Sequence, residues 1–374
     1  MNDRRTFLKS AGLLGLGATI GLTAMPQLLD AAPSRKKSFA RLKVSMDRVI
    51  KETVGLRPFR PSGFRLGCEQ LGSKTIVHNY GHGGSGWSLS WGTGNIAADM
   101  AAQTGEKKFA VLGCGVVGIA TARLLQMRGF EVTIYTKDLP PKVTSSMATG
   151  TWSPSYTLAE ADLITPEFAA TWEKACLFSF RTYQNLLGFN DIVGWKDNYT
   201  LGYANTPARE VENRKLIVPA SLPQREMLTK KDHPFRADTV SRQTTLVFNI
   251  PAYLDKHLTD FLSFGGKVVI RSFQKPEDVD ALSEKCVVNC TGLGAKEIFQ
   301  DEELTPVAGQ LTFLVPQPDF NYRLSTPQGY AIPRKDGIVL GGNAIKGSWD
   351  TTPKKEQTEK VIAALDKVMK EMRY

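Results

Sequence analysis

The sequence is poor in the residues that build small, stapled or metal-held folds: of 374 residues, five are cysteine and four are histidine. Cys68, Cys114, Cys176, Cys286 and Cys290 are odd in number and widely spaced, which excludes a disulfide framework. Four residues of strand would hold Cys286 and Cys290 roughly 13 Å apart, beyond disulfide reach. His78, His82, His233 and His257 join no cysteine at zinc-like spacing, so no metal site is expected. The weakly apolar stretch from Ala11 to Met25 is shorter than the roughly 20 residues that span a bilayer. The formal charge of +10 is scattered, with no basic run interleaved with aromatics and no nucleic-acid motif. It reads as a solvated surface, and internal repeats and low-complexity tracts are also lacking.

What is present fits a large soluble chain of two domains, with 42% hydrophobic and 22% charged residues. Asp3-Arg4-Arg5-Thr6-Phe7-Leu8-Lys9 ahead of the Gly-containing stretch reads as a twin-arginine export signal over residues 1–32. Cleavage between Ala24 and Ala32 is expected, with retention as an anchor the alternative. Removing the signal takes away Arg4, Arg5, Lys9, Asp3 and Asp30, which lowers the charge by one to +9. The twin-arginine route carries folded proteins, which suits a chain that acquires a bulky cofactor before export. A periplasmic or secreted location follows, and a polar linker over 33–40.

Further on, Lys74 to His78 reads as a short strand running into a glycine-rich loop, Asn79 to Trp87, that delivers the chain onto a helix to Ala102. Phe109 to Leu112, Ile119 to Arg128 and Glu131 to Thr136 read as strand, helix and strand, a βαβ opening. An aromatic-rich helix, Phe168 to Leu187, begins a separate lobe. Leu246 to Ile250, the helix Tyr253 to Phe264 and Lys267 to Ile270 read as a return to α/β alternation, with Val287 to Gly292 another strand and glycine turn. Gln310 to Val315, Gly329 to Ile332 and Ile338 to Gly341 are β-type segments of the second lobe, and a helix from Lys354 to Met372 closes the chain.

Gly113-Cys114-Gly115-Val116-Val117-Gly118 follows a strand and opens a helix, the context of a dinucleotide fingerprint. Its first glycine permits the tight turn, its second the approach of a pyrophosphate, its third the packing of helix on strand. The helix N-terminus offers free N–H groups to phosphates. Tyr135-Thr136-Lys137-Asp138 places a lysine where a ribose-binding acid is usual and the acid one residue later. The fingerprint alone therefore leaves FAD and NADP both open.

Three groups of segments together resemble the D-amino-acid oxidase family of FAD enzymes. The first is the fingerprint with Lys137-Asp138-Leu139-Pro140-Pro141-Lys142-Val143-Thr144-Ser145-Ser146 and Ala148-Thr149-Gly150-Thr151-Trp152. The second is Val287-Val288-Asn289-Cys290-Thr291-Gly292. The third is Val54-Gly55-Leu56-Arg57-Pro58-Phe59-Arg60-Pro61 with His78 to Gly86. In the family the third group lies at the end of the chain, so here the resemblance implies a circular permutation, with α/β architecture: an FAD-binding Rossmann-like domain (54–157 and 242–310) interleaved with a mixed β-sheet substrate domain (41–53, 158–241 and 311–374).

The resemblance implies FAD contacts at Gly113, Gly115, Val116, Val117 and Gly118, with Lys137 and Asp138 at the strand end and Thr144 and Ser145 along the cofactor. Gly150 and Thr151 should face the flavin ring, Thr291 should line the site, and Gly83, Gly84, Ser85, Gly86 and Trp87 should form a loop whose backbone N–H groups meet the flavin N1 and C2 carbonyl. His78 and His82 read as structural members of that loop. Arg57 matches the arginine that grips a substrate carboxylate, and Tyr330 a tyrosine whose hydroxyl meets it. A second tyrosine of the family is replaced by Thr326, and Ala344 stands where members preferring acidic substrates carry arginine, which disfavours D-aspartate.

The implied activity is oxidative deamination of D-amino acids: the α-hydrogen passes as hydride to the flavin, and the imino acid hydrolyses to a keto acid and ammonia. Oxygen, giving hydrogen peroxide, or another acceptor takes the electrons. The alternatives are a glycine or sarcosine oxidase, an oxygen-independent dehydrogenase, or a non-catalytic exported nucleotide-binding module. Expected partners are a small amino acid, the electron acceptor and the twin-arginine machinery but no nucleic acid, with a homodimer as the open oligomeric alternative.

Overall fold

Residues 39–189, 191–204, 216 and 223–373 are described by a computed structural model. The export signal read over 1–32, and all but the last two residues of the linker, lie outside them. The chain begins with β1 (Val49–Phe59), the hairpin β2 (Arg65–Leu71) and β3 (Lys74–Tyr80), helix α1 (Gly86–Ala102), β4 (Lys108–Leu112), α2 (Val116–Met127) and β5 (Glu131–Thr136). Helix α3 (Pro166–Gln184), β6 (Val193–Gly202), the short β7 (Glu226–Met227), β8 (Thr239–Phe248), α4 (Ile250–Ser263), β9 (Lys267–Ile270), α5 (Pro276–Asp280), β10 (Cys286–Asn289) and α6 (Ala295–Ile298) follow. The last part is β-rich: β11 (Thr305–Leu314), β12 (Arg323–Thr326), β13 (Gly329–Arg334), β14 (Gly337–Gly341), β15 (Ile345–Lys346), then α7 (Lys355–Lys370).

Four consecutive buried residues in β4 and again in β10 require strands covered on both faces, as in a parallel sheet. The two pair in parallel at the centre of a six-stranded sheet of order β2-β3-β10-β4-β5-β9, in which only β2 is antiparallel. Side chains alternate along β4: Phe109 and Val111 enter the core beneath α1, α2 and α4, while Ala110 and Leu112 enter the one shared with Val279, Leu282 and Ile298. Helix α1 is buried along almost its whole length, as its small residues allow. Gly92 lies against the backbone of Ala175 on α3, where any side chain would collide.

The second sheet has nine strands, ordered β1-β11-β14-β13-β12-β6-β8-β7 with β15 beside β11. Helix α7 covers one face with Val361, Ile362, Leu365, Val368 and Met369. Two expectations need adjusting. The segment at 246–248 was assigned to the nucleotide sheet, but β8 runs ten residues antiparallel to β6 and so belongs to the larger sheet; α4 and β9 alone return to the first. The boundary expected between residues 53 and 54 falls inside β1, which pairs continuously with β11 from Lys51 to Phe59.

Candidate active site

Between the two sheets lies a cavity of about 1560 Å³. That exceeds the roughly 300–1,000 Å³ of a pocket for one small ligand and leaves room for a dinucleotide with a substrate beside it. One end is built at the carboxyl ends of β4, β5 and β10, where open parallel sheets place ligands. Gly113 has φ +103°, a left-handed turn that leads the chain from β4 to α2, and a side chain there would stand 2.7 Å from the Cys290 carbonyl oxygen. A Cβ on Gly118 would overlap the Gly113 carbonyl oxygen, so helix and strand approach this closely only with glycine. The first amides of α2 have no partner within the helix, and Gly115, Val116 and Val117 line the cavity. Val116 N–H donates to Ser145 Oγ at 2.9 Å, and Trp87 Nε1–H donates to the Ser145 carbonyl oxygen at 3.0 Å, tying the 144–147 turn to both helix starts.

Lys137, Asp138, Thr144, Ser145, Thr151 and Thr291 line the same cavity, as do Gly83, Gly84, Gly86 and Trp87. Ser85, Gly118 and Gly150 do not. Ser85 is wholly buried and its hydroxyl donates to the Tyr156 carbonyl oxygen; Gly118 is occupied by helix packing; Gly150 turns the chain against Phe248. The loop amides also differ from expectation. Gly83 N–H donates to Pro58 O at 2.8 Å, Gly84 N–H to Thr157 O at 3.3 Å and Ser85 N–H to His82 O at 2.9 Å. The groups left to face a ligand are those of Gly86 and Trp87, the first residues of α1.

His78 and His82 have hydrogen-bond partners within the fold, and His82 also lines the cavity. His82 Nε2 lies 3.0 Å from Thr93 Oγ1, and burial pulls its pKa down to about 3. His78 accepts at Nδ1 from the Asn289 side-chain amide at 3.1 Å; burial, with Arg65 nearby, lowers it to about 4. Asn289 Oδ1 in turn accepts from the Thr291 amide and hydroxyl, fixing the turn that lines the cavity. Burial raises the Cys114 and Cys290 thiols to about 12, so neither is a thiolate nucleophile.

Arg57 reaches the cavity from β1. Its guanidinium lies over Gly309 of β11, donates at 3.4 Å to Val307 O and sits 5.7 Å from the Tyr156 ring centroid. Among the described residues no carboxylate forms an ion pair with it. Tyr330, on β13, points from the same sheet with its hydroxyl against Gly341, and Arg323 lies 6.0 Å from its ring centroid. Thr326, in place of a second tyrosine, closes the β12–β13 turn by accepting from Gly329 N–H at 3.1 Å.

Sequence reasoning missed Tyr156 and the polar residues of β6, β8 and β12 that also line the cavity: Asn198, Thr200, Ser241, Gln243, Thr245 and Ser325. Their signal was alternation. Tyr199, Leu201, Val240 and Leu324 between them enter the core under α7, so the intervening polar residues share the opposite face.

The family model for FAD dependent oxidoreductases matches residues 17–100 and 108–373. The chain is 26% identical to a D-amino acid oxidase of Dugesia ryukyuensis over 68% of its own length and 75% of that protein's, and 27% identical to a D-amino-acid oxidase of Rubrobacter xylanophilus over 67% and 74%. It is also 26% identical to a human D-aspartate oxidase over 68% and 74%. Among solved structures, iminodiacetate oxidase from Chelativorans sp. BNC1 shares the fold with a TM-score of 0.52 at 15% identity, covering 70% of this chain and 79% of that one.

Proposed function

This chain belongs to the FAD dependent oxidoreductase family, with FAD as its cofactor, and from that membership we propose that it oxidises small D-amino acids to 2-oxo acids and ammonia. The observation that carries the substrate class is Arg57. It is a guanidinium without an acidic partner among the described residues, in the cavity that also holds the dinucleotide cradle. A planar fork of donors there matches a carboxylate in two parallel hydrogen bonds, and Tyr330 lines the same cavity.

The cradle fits FAD: Gly113 and Gly118 stand where a Cβ would collide, and α2 opens toward the space for a pyrophosphate. When bound, FAD accepts the hydrogen and electron pair leaving the substrate α-carbon. The chain's part is orientation. Arg57 and Tyr330 hold the carboxylate, and the sheet face beside Tyr330 receives the side chain. No side-chain base is required once the amine is neutral, which agrees with histidines whose burial keeps them uncharged and hydrogen-bonded elsewhere. With oxygen as acceptor, amino acid, oxygen and water give 2-oxo acid, ammonia and hydrogen peroxide. Purified protein supplied with D-alanine, D-proline, glycine and sarcosine should release ammonia and 2-oxo acid from D-alanine and convert D-proline to its cyclic imine, which opens in water to an amino 2-oxo acid without loss of ammonia. Turnover confined to glycine and sarcosine would replace this reading with that of a glycine/sarcosine-type amine oxidase, and turnover appearing only with an added acceptor other than oxygen would make it a dehydrogenase.

We further propose that residues 1–32 direct twin-arginine export to the periplasm or beyond, and that the exported protein forms a homodimer; fractionation and light scattering test these. The chain is also proposed to be a circular permutation of its family. Support comes from the two ends of the described fold lying together, where Arg41 Nη2 donates to the Met372 carbonyl oxygen at 2.7 Å and Leu42 N–H to Met369 Sδ at 3.1 Å. A chain reordered as 108–373 followed by 41–102 should fold and bind FAD; failure to do so would count against the permutation.

A further inference from the structure

The face of the large sheet turned to the cavity is polar in a strict register. Tyr330 of β13 stands opposite Ser325 of β12, Ser325 is level with Thr200 of β6, and Asn198 of β6 is level with Gln243 of β8. Ser325 Oγ donates to Asn198 Oδ1 at 3.0 Å, and Asn198 Nδ2 to Thr200 Oγ1 at 3.1 Å. Gln243 Nε2 donates to Pro223 O at 3.0 Å, and Gln243 lines the cavity. One step along β8 is Thr245, 4% exposed, whose hydroxyl has no partner among the described residues. Trp152, 2% exposed, likewise has an indole N–H without one. The two are close in the fold, because the Trp152 backbone amide donates to Leu246 O at 3.0 Å and Thr151 bridges Val247. Both line the cavity.

Buried hydroxyl and indole groups without partners are unfavourable unless a ligand supplies the missing bonds. We propose that this face is the subsite for the substrate's side chain, and that it selects amino acids whose side chain ends in a hydroxyl or a carboxamide. The inference rests on the amino-acid-oxidising reading of the site and names its substrate class. Asn198, Thr200, Gln243, Thr245 and Ser325 offer both donors and acceptors and no charge. A hydroxyl or carboxamide can both donate and accept, and so can supply the partners that Thr245 and Trp152 lack. An aliphatic side chain of the same shape leaves them stranded; Lys196 stands opposite Thr245 and Arg225 lines the cavity, so D-aspartate serves as the charged comparison. Arg323 shares the face, with its guanidinium drawn over the Tyr330 ring.

The test uses the FAD-loaded protein without oxygen, so that the identity of the acceptor does not enter. The rate of flavin bleaching per unit substrate is measured for D-serine against its isostere D-2-aminobutyrate, for D-asparagine against D-leucine, and for D-aspartate. The polar member of each pair should react about tenfold faster or more. Thr245→Val and Gln243→Met should each shrink that ratio by roughly threefold to tenfold. Binding gives a second readout: 3-hydroxypropanoate should bind tighter than butanoate by calorimetry, and the difference should diminish in Thr245→Val. Equal or faster reaction of the apolar members, or D-aspartate as the fastest substrate, overturns the subsite while leaving D-amino-acid oxidation intact. Bleaching by none of the five overturns the amino-acid reading itself.

Discussion

Gly309 is the most informative position for the carboxylate clamp, because it perturbs Arg57 without touching its charge. The guanidinium lies flat over Gly309, so that a Cβ added there would stand 2.5 Å from Nη2 and 2.7 Å from Cζ. Ordinary non-bonded separation is about 3.5–4.0 Å, so Gly309→Ala forces the guanidinium to move by about 1 Å. Arginine is flexible, and the shift should leave the fold almost as stable as before. A misplacement of about 1 Å in a positioning group lowers reactivity by roughly a hundredfold. The expected result is a kcat/KM for D-alanine down by about two orders of magnitude, carried mainly by KM, with FAD affinity unaltered by fluorescence titration. Arg57→Lys should fall as far, since it keeps the charge but loses the two-pronged geometry. A Gly309→Ala protein with KM within about twofold of wild type would refute Arg57 as the clamp.

Other outcomes follow from the cofactor cradle and the buried histidines. Gly118→Ala drives a methyl into the Gly113 carbonyl oxygen and should destabilise the protein by about 1–3 kcal/mol in thermal or denaturant unfolding, with loss of co-purifying FAD. Ser145→Ala removes the acceptor of Val116 N–H and, at about 1 kcal/mol for one hydrogen bond, should lower the stability of the protein by that amount in denaturant unfolding. His78 and His82 have folded pKa values lowered to about 4 and about 3, while an unfolded histidine titrates near about 6.5. Their contribution is therefore full above that value and is lost as pH falls toward the folded values, by about 2 kcal/mol per imidazole at about pH 5. Denaturant unfolding near pH 7 and near pH 5 should show this decline, and His82→Gln should flatten it.

The parallel sheet was legible because burial on both faces leaves continuous apolar runs such as Phe109 to Leu112, and because glycine spacing marks the turn after them. Position within a sheet was less so. The strand ending at Phe248 precedes a helix just as a nucleotide-sheet strand would, and only its ten-residue pairing with β6 places it in the other sheet. The glycine loop was identified, but its amide partners are the carbonyls of Pro58 and Thr157, which no local pattern reveals. The polar floor escaped for a related reason: Asn198-Tyr199-Thr200-Leu201 has the alternation of a strand with one face in water, and sequence does not say that the water-like face is the wall of a cavity. Arg57 was recognised from its Gly-Leu-Arg-Pro context, yet the glycine that makes room for it lies some 250 residues away on the paired strand.

The most direct test of the central claim is an anaerobic titration of the purified, FAD-loaded protein with D-alanine and L-alanine in turn, following the flavin absorbance. The account predicts that the D-enantiomer bleaches the flavin with stoichiometric formation of pyruvate and ammonia and that the L-enantiomer leaves it oxidised. A flavin bleached by the L-enantiomer instead, or by neither, would contradict it.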